Sequence, residues 1–250
     1  MMFALYEQAA LPAYAGSGPW SHLRLTYTAL DRFSEETGWQ VNLFCTEIIA
    51  QGAVVSDTED NQEIYQLHCD NNDLVGCSYK LDQLKQKANK EVVLAKSLMQ
   101  MGQALHLVQD FYAHSNWTEI FQFSMVQAPI EQFTIVAPPM QIQTGYFPDI
   151  FPDVDAQVNC FLTPPEQWNN YIYGATHACL NKDSNQTQRG IALVPNGFGL
   201  TYHELSAQYA INHSVELLKY YAKHNPMFMG CFHHLGSLKG CNQAVYRHLH

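Results

Sequence analysis

The sequence predicts an all-α fold, and three observations support this prediction. Near the N-terminus, a helical spacing pattern marks one amphipathic helix through His22, Leu25, Ala29, Leu30 and Phe33. The longest helical pattern runs from about Lys90 to Phe123. A last helix opens at Thr201, where Thr201 and Glu204 have the spacing of a capping box, and it continues to about Tyr221.

The segments between these helices are less regular. A second, shorter helix is marked by Val41, Phe44, Ile48 and Ile49. The polar stretch from Ser56 to about Lys80 is typical of loop and short helix. Eight prolines between Ala128 and Asn196 predict a long irregular insertion, and such insertions usually carry function. We therefore expect one domain over residues 1–250, with a core at about 20–224 and the insertion at about 124–200.

Composition and charge narrow the functional classes. The chain has 250 residues and a formal net charge of −10, and its 47% apolar content is typical of a globular protein. No Lys or Arg occurs between Ser97 and Asn181. Because binding to several phosphates needs cationic side chains, extended nucleic-acid binding is disfavoured. No apolar run reaches the ~18 residues of a transmembrane segment.

The cysteines favour an oxidising compartment. Seven are present without a C-x-x-C pair, so the usual structural zinc pattern is missing. Local loops can be closed by Cys69–Cys77, Cys160–Cys179 and Cys231–Cys241, with Cys45 left unpaired, although sequence alone does not determine this connectivity. We expect a secreted or otherwise extracytoplasmic protein. A signal peptide is not evident, and we interpret the N-terminus as part of the folded protein.

The segment around His106, Asp110 and His114 carries the clearest chemical signal. Residues four apart on a helix are displaced by only ~40°, so the three side chains share one side of the helix over an axial span of ~12 Å. An unpaired carboxylate among apolar neighbours is costly, and a bound cation would offset that cost. The span is too long for one zinc ion, so the spacing favours two ions with Asp110 near both. The alternative is a buried His–Asp–His hydrogen-bond network without metal.

Further candidate ligands lie near the starts of elements or in loops. They are His22, His68, His177 and His203, each of which on its own is more often an ordinary polar residue. Asp57 and Asp70 flank His68 and are either ligands or loop carboxylates. The resulting set has nitrogen and oxygen donors without thiolate, which suits catalytic zinc more than structural zinc.

His106-x-x-x-Asp110 followed by His114-Ser-Asn-Trp resembles the zinc-dependent phospholipase C superfamily, in particular its branch related to the heterokaryon-incompatibility C proteins. Weaker likenesses lie at Ser21-His22-Leu23, Leu67-His68-Cys69-Asp70, Gly145-Tyr146-Phe147, the His177 segment and His203. The resemblance covers roughly His22 to Tyr221. It implies a helical bundle of the zinc-dependent phospholipase C and single-strand nuclease type, with two to three zinc ions.

The resemblance also implies roles for individual residues. One zinc would be held by Asp57, His68, His106 and Asp110, a second by His114, His177 and His203, and a third by His22 and Asp110. Asp57 would orient or deprotonate the attacking water. Tyr65, three residues before His68, is a candidate for binding a quaternary ammonium head group, and the favoured alternative is a tyrosine that only packs in the fold.

The implied reaction is zinc-dependent hydrolysis of the glycerol-side phosphodiester of a phosphatidylcholine-like phospholipid at a membrane surface. The products would be diacylglycerol and a phosphorylated head group. The first alternative is a single-strand nuclease or nucleotidase, which the shortage of basic residues disfavours. The second alternative is a non-catalytic toxin-like or interaction protein with structural zinc.

Overall fold

The computed structural model describes residues 19–58, 61, 64–134, 141–146 and 175–234. Within these ranges the chain is mainly helical, which confirms the all-α part of the predicted fold class. None of the described helices combines the length and the apolar character needed to cross a membrane.

The described elements comprise long helices, short helices and two short strands. The long helices are α1 (His22–Thr37), α2 (Leu43–Val55), α3 (Leu74–Lys90), α4 (Leu94–His114) and α8 (Tyr202–His224). Short helices are α5 (Trp117–Phe121), α6 (His177–Leu180), α7 (Gln188–Ile191) and α9 (Pro226–Met229). Two three-residue strands, β1 (Trp39–Val41) and β2 (Phe232–His234), pair antiparallel and join the end of α1 to the end of the described chain.

Helix α4 lies at the centre of the core and packs against α2, α3 and α8. From Ala104 to His114 every residue of α4 is buried, so this part of the helix has no solvent-facing side. A helix that is enclosed all round has to satisfy its polar side chains inside the protein. The buried His and Asp residues of α4 therefore require internal partners.

Two glycines let α2 and α4 cross in backbone contact. A Cβ atom on Gly102 would overlap the carbonyl oxygen of Ile49, and one on Gly52 would overlap the carbonyl oxygen of Met99. This close crossing brings the C-terminal end of α2, followed by Ser56 and Asp57, against the middle of α4. The approach of Asp57 to the α4 ligand face thus depends on two residues without side chains.

The helix ends follow local rules. Ser21 caps α1 through a hydrogen bond from the backbone N–H of Arg24, and Gly38 ends that helix in the left-handed conformation at φ 74°. The predicted capping box of α8 is present, because the Thr201 hydroxyl and the Glu204 carboxylate each accept a backbone N–H of the other residue.

Three predictions about the elements are corrected. The pattern from Lys90 to Phe123 is two helices, because Ser115 adopts an extended conformation and bridges to Thr144. The stretch from Ser56 to about Lys80 was expected to be loop and short helix, whereas α3 already begins at Leu74 and continues to Lys90. Phe44 was expected on the buried face of α2 and is instead 62% exposed, whereas Ile49 is fully buried.

Two disulfides are present among the described cysteines. Cys69–Cys77 confirms one predicted pair, whereas Cys45 is bonded to Cys231. The predictions of a Cys231–Cys241 pair and of an unpaired Cys45 are therefore wrong, because the fold brings Cys45 on α2 beside the segment that leads into β2. Cys179 is disulfide-bonded, and its predicted partner Cys160 lies outside the described residues, as does the N-terminal segment 1–18.

Candidate metal centres

One buried group, here named centre 1, consists of His22, Asp57, His106 and Asp110. His22 Nε2 lies 3.1 Å from Asp110 Oδ1, and His106 Nε2 lies 2.8 Å from Asp110 Oδ2. Asp57 completes the group, with its oxygens 3.6 Å from His22 Nε2 and 3.7 Å from His106 Nε2. Three elements thus converge: the start of α1, the residues after α2, and the middle of α4.

His68 borders centre 1 from the 3-10 turn Tyr65–Leu67. Its Nδ1 atom lies 2.8 Å from Asp110 Oδ2 and 3.2 Å from His106 Nε2. The backbone N–H groups of His68 and Asp70 both donate to the carbonyl oxygen of Tyr65, at 3.1 and 3.0 Å. Tyr65 therefore contributes to the site through its backbone, and the predicted role of its ring in binding an ammonium group stays a prediction.

Gln109 orients the imidazole of His22. The His22 Nδ1 atom lies 2.7 Å from Gln109 Oε1, so that a proton on Nδ1 is donated to the amide and Nε2 is left to face Asp110. The Gln109 amide nitrogen donates in turn to Thr26 Oγ1 at 3.2 Å. Histidines that bind metals commonly donate their other ring N–H in this way, which fixes their tautomer.

A second buried group, centre 2, consists of Asp70, His114 and His177. Asp70 lies between the two imidazoles: its Oδ1 is 3.2 Å from His114 Nδ1 and its Oδ2 is 3.2 Å from His177 Nδ1. The other nitrogen of His114 lies 3.0 Å from Asp183 Oδ1. Asp183 is thus placed to accept a hydrogen bond from His114 and to hold its ring in position.

A buried ion-pair network attaches the segment that carries His177 and Asp183 to the end of α4. The Lys182 ammonium is fully buried and donates to the carbonyl oxygen of Ser115 at 2.6 Å and to Glu119 at 3.3 Å. Arg189 donates to the same Glu119 carboxylate at 2.9 Å. A buried Lys needs such compensation, because its charge would otherwise be desolvated without a partner.

Glycine again permits a close approach next to centre 2. A Cβ atom on Gly145 would overlap the backbone of His177. The Gly145 carbonyl oxygen accepts the N–H of Asn71, and its own N–H donates to the carbonyl oxygen of His114. Gly145 therefore contacts the backbones of Asn71, which follows Asp70, and of the centre 2 residues His114 and His177.

The charged groups of centre 1 shift one another's pKa. Burial lowers the pKa of His22, but the carboxylates of Asp110 and Asp57 outweigh this effect and raise it to about 9. Burial by contrast raises the pKa of Asp110, yet the imidazoles of His106 and His22 hold it well below its usual range. For Asp57 burial prevails, and its pKa is raised. Asp110 is accordingly ionised at neutral pH, as a metal ligand must be.

In centre 2, as in centre 1, the charged groups shift one another's pKa. Burial opposes ionisation of Asp70, but His114 and His177 lower its pKa to about 2. His114 has a pKa well above its ordinary value, since Asp70 and Asp183 outweigh the opposing effect of burial. The centre thus places an ionised carboxylate between two imidazoles.

The donor atoms have the separations that a metal site needs. Four ligands placed tetrahedrally at ~2.0–2.1 Å from zinc are ~3.3 Å from each other. In each centre one donor atom can be taken from each residue so that all lie within 4.8 Å of one another, and the nearest nitrogen–oxygen pairs are 2.8–3.7 Å apart in centre 1 and 3.2 Å apart in centre 2. Among the described residues, Asp57 Oδ1 is buried with no hydrogen-bond partner, and Asp110 Oδ1 faces His22 Nε2 at 3.1 Å. The residues therefore fit a divalent cation at each centre.

The two groups only partly match the ligand sets expected from the sequence. His22 lies in the same group as Asp57 and His106 rather than in a separate third set. His203 is buried, and its Nδ1 atom donates to the carbonyl oxygen of Lys182 at 2.8 Å, so it contacts the segment that carries Asp183 rather than joining the centre 2 group.

The sequence interpretation missed Asp183 and Gln109 and left Asp70 undecided between ligand and loop carboxylate. Asp70 could have been favoured because it lies two residues from His68. Gln109 and Asp183 gave no sequence signal, since their partners are 87 and 69 residues away.

The family model of the VWA7 N-terminal domain matches residues 29–133, which is less than half of the chain. No curated protein and no solved structure matches the chain. The matched segment includes Asp57, His68, Asp70 and the three ligand positions of α4, and it excludes His22 and His177.

The expected membership of the zinc-dependent phospholipase C superfamily is therefore wrong, because the matching model describes a different family. The resemblance depended on a few residues at helical spacing. Such a spacing is a local geometry that any buried helix with metal ligands can adopt, so it does not identify a family.

Proposed function

We propose that this chain is a phosphodiester hydrolase that works with zinc ions bound at centre 1 and centre 2. The observation that best supports the proposal is the pair of buried, thiolate-free His/Asp groups, which adjoin each other at His68 and Asp70. Nitrogen and oxygen ligands leave zinc strongly Lewis-acidic, and two neighbouring ions are a common arrangement for phosphoryl chemistry.

Zinc at such a site lowers the pKa of a water and stabilises negative charge on phosphoryl oxygens. Among the residues of centre 1, Asp57 is the one whose side chain keeps some exposure, 9% against 1% or less for its partners. A carboxylate with a raised pKa at the solvent side of the site is suited to accept the proton of the attacking water. Asp110 and Gln109 hold the imidazoles of His106 and His22 in place.

A phospholipid is the substrate class that we propose, in agreement with the charge distribution. Polyanions such as nucleic acids are normally bound by several free cationic side chains. Near centre 2 the cations Lys182 and Arg189 both bind the internal carboxylate of Glu119. A phosphatidylcholine-like lipid presents a single phosphodiester, and its hydrolysis would release diacylglycerol and a phosphorylated head group.

A structural metal site is the second candidate function. It is favoured by burial, since His106, Asp110 and His114 are at most 1% exposed. Structural zinc sites are closed, whereas catalytic sites keep one position open for water or substrate. In this alternative the metal stabilises the fold and the chain acts through binding to another molecule. The two disulfides fit an oxidising, extracytoplasmic location for either function.

The deciding experiment combines metal analysis with product identification. The purified protein is loaded with zinc, its metal content is measured, and it is incubated separately with phosphatidylcholine vesicles and with single-stranded DNA. We expect about two zinc ions per chain and release of diacylglycerol. Two matched variants test the site. Asp57→Asn changes a residue of centre 1, and Asp82→Asn makes the same change at an exposed residue of α3. The first should lose at least ~100-fold in turnover, which is the lower end for a general base, and the second should keep its activity.

Each other result has a definite meaning. DNA cleavage without lipid turnover would replace the phospholipase proposal with a nuclease. Zinc-loaded, folded protein that hydrolyses neither substrate would favour the structural-metal candidate. A content below one transition-metal ion per chain, after loading, would overturn metal binding altogether.

A further inference from the structure

We infer that the Cys69–Cys77 disulfide is a positioning device for both metal centres, so that its reduction weakens metal binding at the two centres together. The inference rests on the metal binding proposed above and goes beyond it by assigning a role to the cross-link. The observation that supports it is the position of Cys69, which stands between His68, beside centre 1, and Asp70, in centre 2.

The backbone at Cys69 has an unfavourable conformation. Its φ is 52°, in the left-handed region that residues other than Gly, Asn and Asp rarely adopt. The turn at Cys69 lets His68 Nδ1 approach Asp110 while Asp70, only two residues later, lies between His114 and His177. In an extended strand, residues two apart would point to the same side. The separation of His68, which borders centre 1, from Asp70 in centre 2 thus depends on the backbone conformation at Cys69.

The disulfide holds Cys69 in that conformation from two sides. Its partner Cys77 lies in the first turns of α3, which Asp73 caps through the N–H of Gly76. The Cys69 side chain is fully buried, and its sulfur lies 3.6 Å from the carbonyl oxygen of Leu107, between His106 and Asp110 on α4. The cross-link therefore attaches the segment from His68 to Asp70 to α3, and the Cys69 sulfur keeps this segment in contact with α4.

Backbone hydrogen bonds constrain the neighbours of Cys69 and leave the cross-link a distinct role. Asp70 N–H donates to Tyr65 at 3.0 Å, and Asn71 N–H donates to Gly145 at 2.7 Å. The Asn71 bond to Gly145 keeps the end of the loop in place when the disulfide is opened. Without the cross-link, however, Cys69 can relax toward negative φ, which rotates the peptide planes that orient His68 and Asp70. The expected consequence is misplacement of ligands rather than unfolding.

The second disulfide provides a matched control. Cys69 and Cys77 are 8 residues apart, whereas Cys45 and Cys231 are 186 apart. Because the entropy that a disulfide removes from the unfolded chain grows with loop length, Cys45–Cys231 should contribute more to stability. Neither Cys45 nor Cys231 adjoins a centre 1 or centre 2 residue in the sequence. Loss of Cys45–Cys231 should therefore lower stability more, whereas loss of Cys69–Cys77 should weaken metal binding more.

The experiment compares Cys69→Ala/Cys77→Ala with Cys45→Ala/Cys231→Ala in the full chain. Zinc affinity is measured by competition with a chelator, and melting temperature is measured on the zinc-free proteins. We expect Cys69→Ala/Cys77→Ala to weaken zinc binding at both centres by about 10–100-fold, the range for groups that orient ligands, with the smaller fall in melting temperature. Cys45→Ala/Cys231→Ala should show the larger fall in melting temperature and near-normal zinc affinity.

A second measurement covers the case in which the variant does not fold. Folded wild-type protein is treated with graded reductant, the opened cysteines are identified by alkylation and mass spectrometry, and zinc release is followed. Zinc should leave as Cys69–Cys77 opens. Unchanged zinc affinity in a wild-type protein that binds zinc, or weakening at one centre alone, would overturn the inference and leave the proposed function standing. Wild-type protein that binds no zinc would instead overturn the proposed function.

Discussion

Asp110 is the residue on which centre 1 depends most. Its two carboxylate oxygens lie within 3.1 Å of nitrogens from His22, His68 and His106, and it has no solvent exposure. Such a buried carboxylate is tolerable only because positive or hydrogen-bonding groups surround it. The same surroundings hold its pKa well below the usual range, so it is available as an anionic ligand at neutral pH.

Replacing Asp110 with Asn should therefore remove both metal and activity. The substitution keeps the size of the side chain but removes its charge, and we expect a loss of zinc from centre 1 and at least ~100-fold lower turnover of the phospholipid substrate. Glu204→Gln is the control, because Glu204 acts in the capping box of α8 and its replacement should cost at most about 0.5–2 kcal/mol of stability. Zinc titration and the lipid assay check both. Full zinc content in Asp110→Asn would contradict the role given to this carboxylate.

At the scale of elements, the crossing of α2 and α4 determines where Asp57 lies. The two helices touch through Gly52 and Gly102, and no side chain separates their backbones at these points. Asp57 follows the end of α2, and its N–H donates to the carbonyl oxygen of Val54 at 3.0 Å. A wider separation of the helices would move this carboxylate away from His106, to which it lies at 3.7 Å.

Gly102→Ala should therefore destabilise the protein although alanine is the better helix former. Helix propensity alone predicts a gain of about 1 kcal/mol, whereas forcing a methyl group against Ile49 and Ala53 costs about 1–3 kcal/mol. We expect a net loss of stability in chemical denaturation and weaker zinc binding at centre 1. Gln103→Ala, on the same helix, should stay within about 0.5 kcal/mol of wild type. A higher unfolding free energy for Gly102→Ala would disprove the close crossing.

At the scale of the whole molecule, metal binding and folding should be coupled. The ligands of centre 1 come from three elements, and those of centre 2 come from Asp70, the end of α4 and the start of α6. A cation that binds only when these elements are assembled stabilises the folded state. At a free zinc concentration ~1,000 times Kd this stabilisation is ~4 kcal/mol per site. Chelation should accordingly lower the melting temperature.

The size of this effect should depend on pH in a definite direction. Without metal, His22 has a pKa raised to about 9 from 6.5, so its contribution to stability is complete below pH 6.5 and is lost as the pH rises through about 9. Zinc needs unprotonated imidazoles and binds more tightly over the same range. The difference in melting temperature between zinc-loaded and chelated protein should therefore grow from pH 6.5 to pH 9. A difference that shrinks over this range would show that His22 is not a ligand.

The sequence by itself determined the features that depend on neighbours along the chain. Helical spacing predicted α1, most of α4 and the capped start of α8, because periodicity and capping act within one or two turns. The same spacing predicted that His106, Asp110 and His114 share a side of one helix. The Cys69–Cys77 bond was also within reach, since its cysteines are 8 residues apart. Family membership could not be predicted in this way, because the short helical motif resembled the wrong family.

Only the tertiary structure decided which distant residues meet. It brought His22 to Gln109 and Asp110, His177 to Asp70, and Cys45 to Cys231 across 186 residues. These contacts follow from how helices cross and where loops return, which depend on packing between elements rather than on local pattern. It also ended α4 at His114, where Ser115 pairs with Thr144. The grouping of the ligands into two centres is therefore a property of the folded chain.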